Sequence, residues 1–138
     1  MSVGLLIIAH RGIGTQLLSV ATEILGRCPL QTAILEIGPD DDCDQSRHRA
    51  RRLAADLDAG DGLLVLTDLF GSTPSNVAVS LQGCCDLRVL AGVNLPMLVR
   101  ILNYPALSLP ELTEKARGGG QDGVLLCPGK PGEESVRQ

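Results

Sequence analysis

The sequence is poor in aromatic residues, in long apolar runs and in positive charge. Its 138 residues include one Tyr, one Phe and no Trp, which argues against stacking platforms for single-stranded nucleic acid. The formal net charge is −4, so the broad basic surface of a nucleic-acid-binding protein is not expected. No apolar run approaches the roughly 20 residues of a membrane-spanning helix, and membrane insertion is therefore not predicted.

The cysteines and the N-terminus exclude two further classes of protein. The five cysteines are odd in number and form no C-x-x-C motif, which favours reduced thiols and a cytoplasmic location over a disulfide framework. A metal or redox role for the adjacent Cys84 and Cys85 is the weaker interpretation, because such thiols are usually structural. No basic stretch precedes the first apolar run, so no signal peptide is predicted.

Strand and helix patterns alternate along the chain. Runs of strand length lie at residues 3–9, 32–37, 63–67 and 87–91. Apolar residues at helical spacing predict helices near residues 17–25, 50–57, 74–81, 95–102 and 109–117. Such alternation predicts βαβ units, and therefore an α/β domain built on a mostly parallel open sheet with flanking helices.

The same pattern supports predictions about the second strand and about the C-terminal part of the sequence. Glu36 interrupts the second apolar run, which indicates an exposed edge strand. Three consecutive glycines at residues 118–120 predict a flexible break, followed by a short last strand at residues 124–127. Residues 1–127 then form one domain, and the polar residues 128–138 form a tail that we expect to be disordered.

His10 is the most informative residue, because it directly follows the first strand. The chain has only two histidines, and this one stands between the apolar run of residues 3–9 and a glycine-containing turn. In open α/β sheets, ligands and catalytic groups collect at the carboxyl ends of strands. A lone histidine there is more often structural than catalytic, so its role depends on what else meets it.

A second informative stretch follows the third strand. Asp68 comes directly after that strand, and Gly71 allows a tight turn. Thr73 is predicted to be the N-cap of the next helix, with Pro74 in its first turn. The free N–H groups of this helix start, together with the hydroxyls of Ser72 and Thr73, predict an anion site.

The two stretches meet if the first and third strands are neighbours, as in the flavodoxin-like strand order 2-1-3-4. His10 and Asp68 would then share one crevice. A carboxylate that accepts the Nδ1–H of an imidazole fixes its tautomer and leaves Nε2 as a nucleophile. With an anion site beside it, this arrangement suits phosphoryl transfer through a phosphohistidine.

Three sequence blocks together resemble the mannose-type IIA components of the bacterial phosphoenolpyruvate-dependent sugar phosphotransferase system. They are IIAH at residues 7–10, DLFGSTPSN at residues 68–76 and AGVNLPML at residues 91–98. Their order and separation also match, so the resemblance covers residues 1–127. It implies a mostly parallel sheet with a short antiparallel last strand that is exchanged between two subunits, and hence a homodimer.

The resemblance also implies a phosphocarrier. His10 would accept a phosphoryl group from HPr, the histidine-containing phosphocarrier protein, and pass it to a histidine of a IIB partner. Asp68 matches the carboxylate that orients the active histidine, and Thr73 matches a hydroxyl beside the phosphoryl group. Ser72 and Gly71 shape the same loop. Such a phosphotransferase component needs no metal and no bound cofactor.

Other interpretations stay open at this point. Mannose transporters of this type commonly carry a fused IIB domain, whereas this sequence has a short polar tail, which favours a regulatory IIA-like protein without sugar transport. A small phosphate-ligand enzyme or nucleotide-binding protein is a third possibility, although no P-loop occurs. Arg11 stands where the family often has glycine, and it either pairs with phosphate or an acidic partner or points into solvent. His48 lies in a basic stretch that is best interpreted as a solvated helix face.

Overall fold

The computed structural model describes residues 2–128, and in this part of the chain strands and helices alternate as predicted. In chain order the elements are β1 (Gly4–His10), α1 (Ile13–Leu25), β2 (Thr32–Ile37), α2 (Cys43–Leu57), β3 (Leu63–Thr67), α3 (Thr73–Val79), β4 (Leu87–Ala91), α4 (Leu95–Leu102) and α5 (Leu109–Asp122). No helix among the described residues is long and apolar enough to cross a membrane.

The four strands form one parallel sheet in the order β2-β1-β3-β4, which confirms the predicted 2-1-3-4 arrangement. β1 and β3 are the central strands, and their continuous apolar sequences are buried on both faces. β2 is an edge strand, as Glu36 indicated. Because β1 and β3 are parallel neighbours, with Ile8 opposite Thr67, their carboxyl ends emerge side by side.

Two hydrophobic layers fix the register of the central strands. Side chains that alternate along β1 enter opposite layers: Leu5 and Ile7 pack with α1, α4 and α5, whereas Leu6 and Ile8 pack with α2 and α3. Burial of each such side chain contributes roughly 1.5–3 kcal/mol. A shift of one residue would reverse both sets of contacts, so the core fixes the register that brings His10 to the carboxyl edge of the sheet.

The predicted break at residues 118–120 is wrong, because α5 continues through all three glycines to Asp122. The reason is close packing of α5 against α4. A Cβ atom on Gly119 would lie 2.6 Å from the Cβ of Arg100, and one on Gly120 would lie 2.9 Å from the Cε of Met97. Glycine costs about 1 kcal/mol per residue in a helix, but here it lets two helices approach, and tertiary contact overrides local propensity.

The predicted last strand at residues 124–127 is also not formed in the structure. Residues 124–128 have no strand partner, and Val124, Leu125 and Leu126 are 82%, 78% and 77% exposed. A strand needs the hydrogen-bonding edge of a neighbour, and this segment leaves α5 without one. Apart from Pro128, the predicted tail at residues 128–138 lies outside the described residues.

Candidate functional site

His10 stands at the carboxyl edge of the sheet, at the last position of β1. The six preceding strand residues are buried, whereas the His10 side chain is 46% exposed. The next residue, Arg11, still donates its amide to the carbonyl of Ile37 on β2, at 3.1 Å. The backbone of His10 is therefore held by the sheet while its imidazole faces solvent.

Asp68, the first residue after β3, binds this imidazole directly. Its Oδ2 lies 2.8 Å from His10 Nδ1 and also accepts the amide N–H of His10, at 3.1 Å. Its Oδ1 accepts the amide N–H of Leu69, at 3.0 Å. The structure thus brings together the two side chains that lie 58 residues apart in sequence, and both oxygens of the carboxylate are engaged.

The Asp68 side chain is mostly buried, with 11% of its area exposed. Burial alone would raise its pKa. The hydrogen bonds from the His10 ring, the His10 amide and the backbone of Asp68 itself outweigh burial, so the pKa lies below its usual 3.8. Asp68 therefore carries its negative charge at neutral pH.

The charge of Asp68 determines which nitrogen of His10 carries the proton. An ionised carboxylate only accepts hydrogen bonds, so Nδ1 must carry the proton in the 2.8 Å contact. In the neutral ring, Nε2 then holds a lone pair. A positive charge that develops on the ring is stabilised by the adjacent carboxylate.

The loop after Asp68 is closed by its own residues. Gly71 has a φ of 86° and donates its amide to the Oγ of Ser75, at 3.2 Å. The Ser72 hydroxyl donates to the carbonyl of Leu69, at 2.6 Å. Ser72, not Thr73 as predicted, is the N-cap of α3, and its side chain makes no capping bond because the loop uses it.

Thr73 differs from its two neighbours in this loop. It is the exposed first residue of α3, and neither its amide nor its hydroxyl donates a hydrogen bond within residues 2–128. The Gly71 amide already donates to Ser75, and the Ser72 hydroxyl already donates to Leu69. Of the three predicted phosphoryl-binding residues, Thr73 is the one with donors to spare.

Two exposed apolar residues extend this loop into solvent. Leu69 is 62% exposed and Phe70, the only phenylalanine of the chain, is 81% exposed. Both come directly after Asp68. Exposed large apolar side chains beside a reactive group are typical of a surface that binds another protein.

Sequence reasoning missed the residues that hold the turn between β1 and α1. Glu36 accepts hydrogen bonds from the amide of Gly12 and from the hydroxyl of Thr15. The only sequence signal was a carboxylate inside an apolar strand. Arg11 is exposed, but its guanidinium lies over Gly38, where an added Cβ would be 3.0 Å from Nε.

The second histidine lies outside the cluster formed by His10 and Asp68. His48 is exposed on α2 and takes no part in the contacts of His10 and Asp68. Within residues 2–128, no three His, Cys, Asp or Glu side chains are arranged to hold a metal ion.

Comparisons with known proteins point to one family. The family model EIIA-man, described as PTS system fructose IIA component, matches residues 4–117. The mannose-specific EIIAB component of the phosphotransferase system of Escherichia coli K12 is 30% identical over 139 aligned residues. That alignment covers 99% of this chain and 43% of the relative, so the chain spans less than half the length of this relative.

Solved structures share the fold. The mannose/sorbose-specific IIA subunit of the phosphotransferase system from Enterococcus faecalis superimposes with a TM-score of 0.81 and 31% identity, covering 94% of this chain and 98% of that one. An EIIA component from Streptococcus agalactiae gives a TM-score of 0.76 over 89% of this chain and 95% of that one. At 24% identity, the second likeness concerns the fold alone.

Proposed function

The chain belongs to the EIIA-man family of phosphotransferase system IIA components, and from this premise we propose that it is a phosphocarrier that acts through His10. It accepts a phosphoryl group from HPr and passes it to a IIB partner. The observation that carries the proposal is the 2.8 Å contact between His10 Nδ1 and the Asp68 carboxylate, which leaves Nε2 free.

The covalent step involves only the two imidazoles and the phosphoryl group, which the surrounding residues orient and stabilise. The Nε2 lone pair of His10 attacks the phosphorus of the donor phosphohistidine, and the N–P bond to the donor ring breaks. The donor nitrogen keeps the electron pair of that bond. The positive charge that appears on the His10 ring is stabilised through Nδ1–H by Asp68, and the same steps in reverse deliver the group to the IIB histidine.

Thr73 supplies donors for the phosphoryl oxygens in this proposal. Its unused amide and hydroxyl suit an anion, whereas Gly71 and Ser72 shape the loop through bonds to Ser75 and Leu69. The dipole of a seven-residue helix adds little, so individual hydrogen bonds carry most of the effect.

The partner proteins dock on the apolar rim of the site. Leu69 and Phe70 are exposed next to Asp68, and Ile13, 40% exposed, begins α1 just after His10. A transfer between two proteins requires that both imidazoles be shielded and aligned, and apolar contact around the histidine serves that purpose.

We also propose that the domain, residues 1–127, forms a homodimer by exchange of residues 124–127. β4 is an edge strand of the described sheet, and a groove beside it is lined by Leu90, Met97 and Gly120. The exposed apolar residues Val124 and Leu126 would be buried by pairing with a second copy. Light scattering should give twice the chain mass, and Leu126→Asp should give one chain mass.

Labelling tests the site assignment. Phosphoenolpyruvate, enzyme I and HPr should phosphorylate the wild type and the control His48→Ala, and should leave His10→Ala unlabelled. The label should be lost in acid, because a phosphoramidate is acid-labile. A label on His48, or one that survives acid, contradicts the proposal. Addition of a IIB protein should then discharge the labelled chain, whereas a chain that discharges to no IIB protein would fit a regulatory role instead.

A further inference from the structure

Helix α1 begins three residues after His10, at Ile13, and has no capping group of its own. Its N-cap is Gly12, with a φ of 88° and no side chain, and its first turn contains no acidic residue. Among the longer helices, α2, α4 and α5 are capped locally by Asp42, Asn94 and Ser108. The segment that follows the reactive histidine therefore lacks the usual local support.

Glu36 provides this support from another strand. Its Oε2 accepts the Gly12 amide at 3.0 Å and the Thr15 hydroxyl at 2.7 Å. One carboxylate oxygen thus binds both ends of the first turn of α1, from a residue 24 positions away from Gly12. Hydrogen bonds to an ionised acceptor are stronger than those between neutral groups.

The sheet holds Glu36 in the required place. In the parallel pairing of β1 and β2, Glu36 lies opposite Ala9, and the next pair is His10 with Ile37. The same register that positions His10 therefore positions Glu36. The Thr15 hydroxyl bond, partly opposed by burial and reinforced by the Gly12 amide and the charge of Arg11, holds the Glu36 pKa below its usual 4.5.

We propose that Glu36 is a positioning residue for phosphoryl transfer, which binds Gly12 and Thr15 and thereby holds the turn that directly follows His10. The inference rests on the proposed function of His10. The nucleophile is then fixed on two sides: Asp68 orients the ring, and Glu36 holds the backbone that follows it. A misaligned nucleophile slows transfer even when the partner protein still binds.

Four variants test this role by the initial rate of phosphorylation at varied concentrations of phosphorylated HPr. Glu36→Ala removes both hydrogen bonds, Glu36→Gln keeps an oxygen that accepts both, and Thr15→Val removes one bond with little change of shape. Asp42→Ala is the matched control, because its carboxylate caps α2 by accepting the Asp44 amide at 3.0 Å. Hydrogen exchange of the Gly12 amide is measured in parallel.

We expect Glu36→Ala to lower the rate at saturating donor about tenfold without a change in KM, and to speed exchange at Gly12. Glu36→Gln should recover more than half of the wild-type rate, and Thr15→Val should lower it about threefold. Asp42→Ala should reduce stability but not the rate. Should Glu36→Ala fail to fold, Thr15→Val alone decides the outcome.

Two results obtained with the Glu36 variants overturn the inference while the proposed function stands. In the first, the wild type takes the label and Glu36→Ala is phosphorylated at the same rate. In the second, Glu36→Gln is as slow as Glu36→Ala. A rate loss in Asp42→Ala equal to that in Glu36→Ala also overturns it, because lost stability would then explain both. A wild type that takes no label overturns the proposed function itself, and this inference with it.

Discussion

The two loops that build the site are held in opposite ways. The turn from β1 to α1 contains only Arg11 and Gly12, and both are held from β2: Glu36 accepts the Gly12 amide, and the Ile37 carbonyl accepts the Arg11 amide. The loop from β3 to α3 spans residues 68–72 and closes on itself, through bonds from Ser72 to Leu69 and from Gly71 to Ser75.

This difference corresponds to two tasks. In our proposal, the turn that Glu36 ties to β2 aligns the His10 imidazole that precedes it. Beyond Asp68, whose carboxylate binds His10, the second loop is held by its own hydrogen bonds and displays Leu69, Phe70 and Thr73 outward. Substitutions in the first loop should therefore affect alignment, whereas those in the second should affect the phosphoryl group and the partner.

The largest expected effect comes from Asp68, which joins the two loops. Asp68→Asn keeps a similar shape but has no negative charge to stabilise the ring as it becomes positive. The rate of phosphorylation of His10 should fall on the order of a hundredfold. Stopped-flow or quenched transfer from phosphorylated HPr measures this, with circular dichroism to show that the fold is retained. An unchanged rate would remove Asp68 from the mechanism.

Thr73 should have the next largest effect. Thr73→Val removes a free hydroxyl that we assign to the phosphoryl oxygens, and the transfer rate should fall about tenfold. Ser72→Ala is the matched control, because that hydroxyl already donates to Leu69. If both variants lose rate equally, the loop contributes shape rather than a donor at Thr73.

Phe70 distinguishes partner binding from chemistry. Phe70→Ser should raise the KM for phosphorylated HPr about fivefold and leave the maximal rate unchanged, since apolar contacts dominate such interfaces. Ile24→Ser serves as the control: Ile24 is 58% exposed but lies at the far end of α1. Equal effects of the two substitutions would contradict a docking surface around Asp68.

The smallest effect is a pH dependence that separates the two carboxylates. Both pKa values are lowered by folding, Glu36 from 4.5 mainly through Thr15, and Asp68 from 3.8 because its hydrogen bonds outweigh burial. Their contributions to stability are complete above those values and are lost as the pH falls through the lower pKa of the folded state.

Denaturant unfolding at a series of pH values tests this. The free energy of unfolding of the wild type should decline as the pH falls below 4.5. Glu36→Gln should flatten the decline that starts near 4.5, and Asp68→Asn should flatten the part below 3.8. Parallel curves for wild type and both variants would show that neither group is perturbed by folding.

Much of the fold was predictable because burial leaves a periodic trace in the sequence. The boundaries of β2, β3 and β4 match those predicted, and the strand order is as expected. The helical glycines of α5 were not predictable, since what they permit is a contact with Arg100 and Met97 on another helix. The same holds for Ser72, whose hydroxyl donates to the carbonyl of Leu69 and is therefore not available to cap α3.

The candidate site was predictable in part for a similar reason. His10 and Asp68 each directly follow a central strand, and parallel strands bring such residues to one edge. Glu36 was expected only to mark an edge strand. Its two hydrogen bonds depend on the position of α1 above β2, which no local pattern records.

The sequence alone determined the alternation of strands and helices and the residues that leave the two central strands, because apolar periodicity is local and is written in neighbouring residues. The tertiary structure decided which groups remain free for chemistry. Asp68 binds Nδ1 of His10 and leaves Nε2 free. The Ser72 hydroxyl donates to the carbonyl of Leu69, whereas the Thr73 hydroxyl stays available. Glu36 binds the first turn of α1 from a different strand. Hydrogen bonds between segments distant in the chain depend on three-dimensional placement, and that placement exists only once the core has packed.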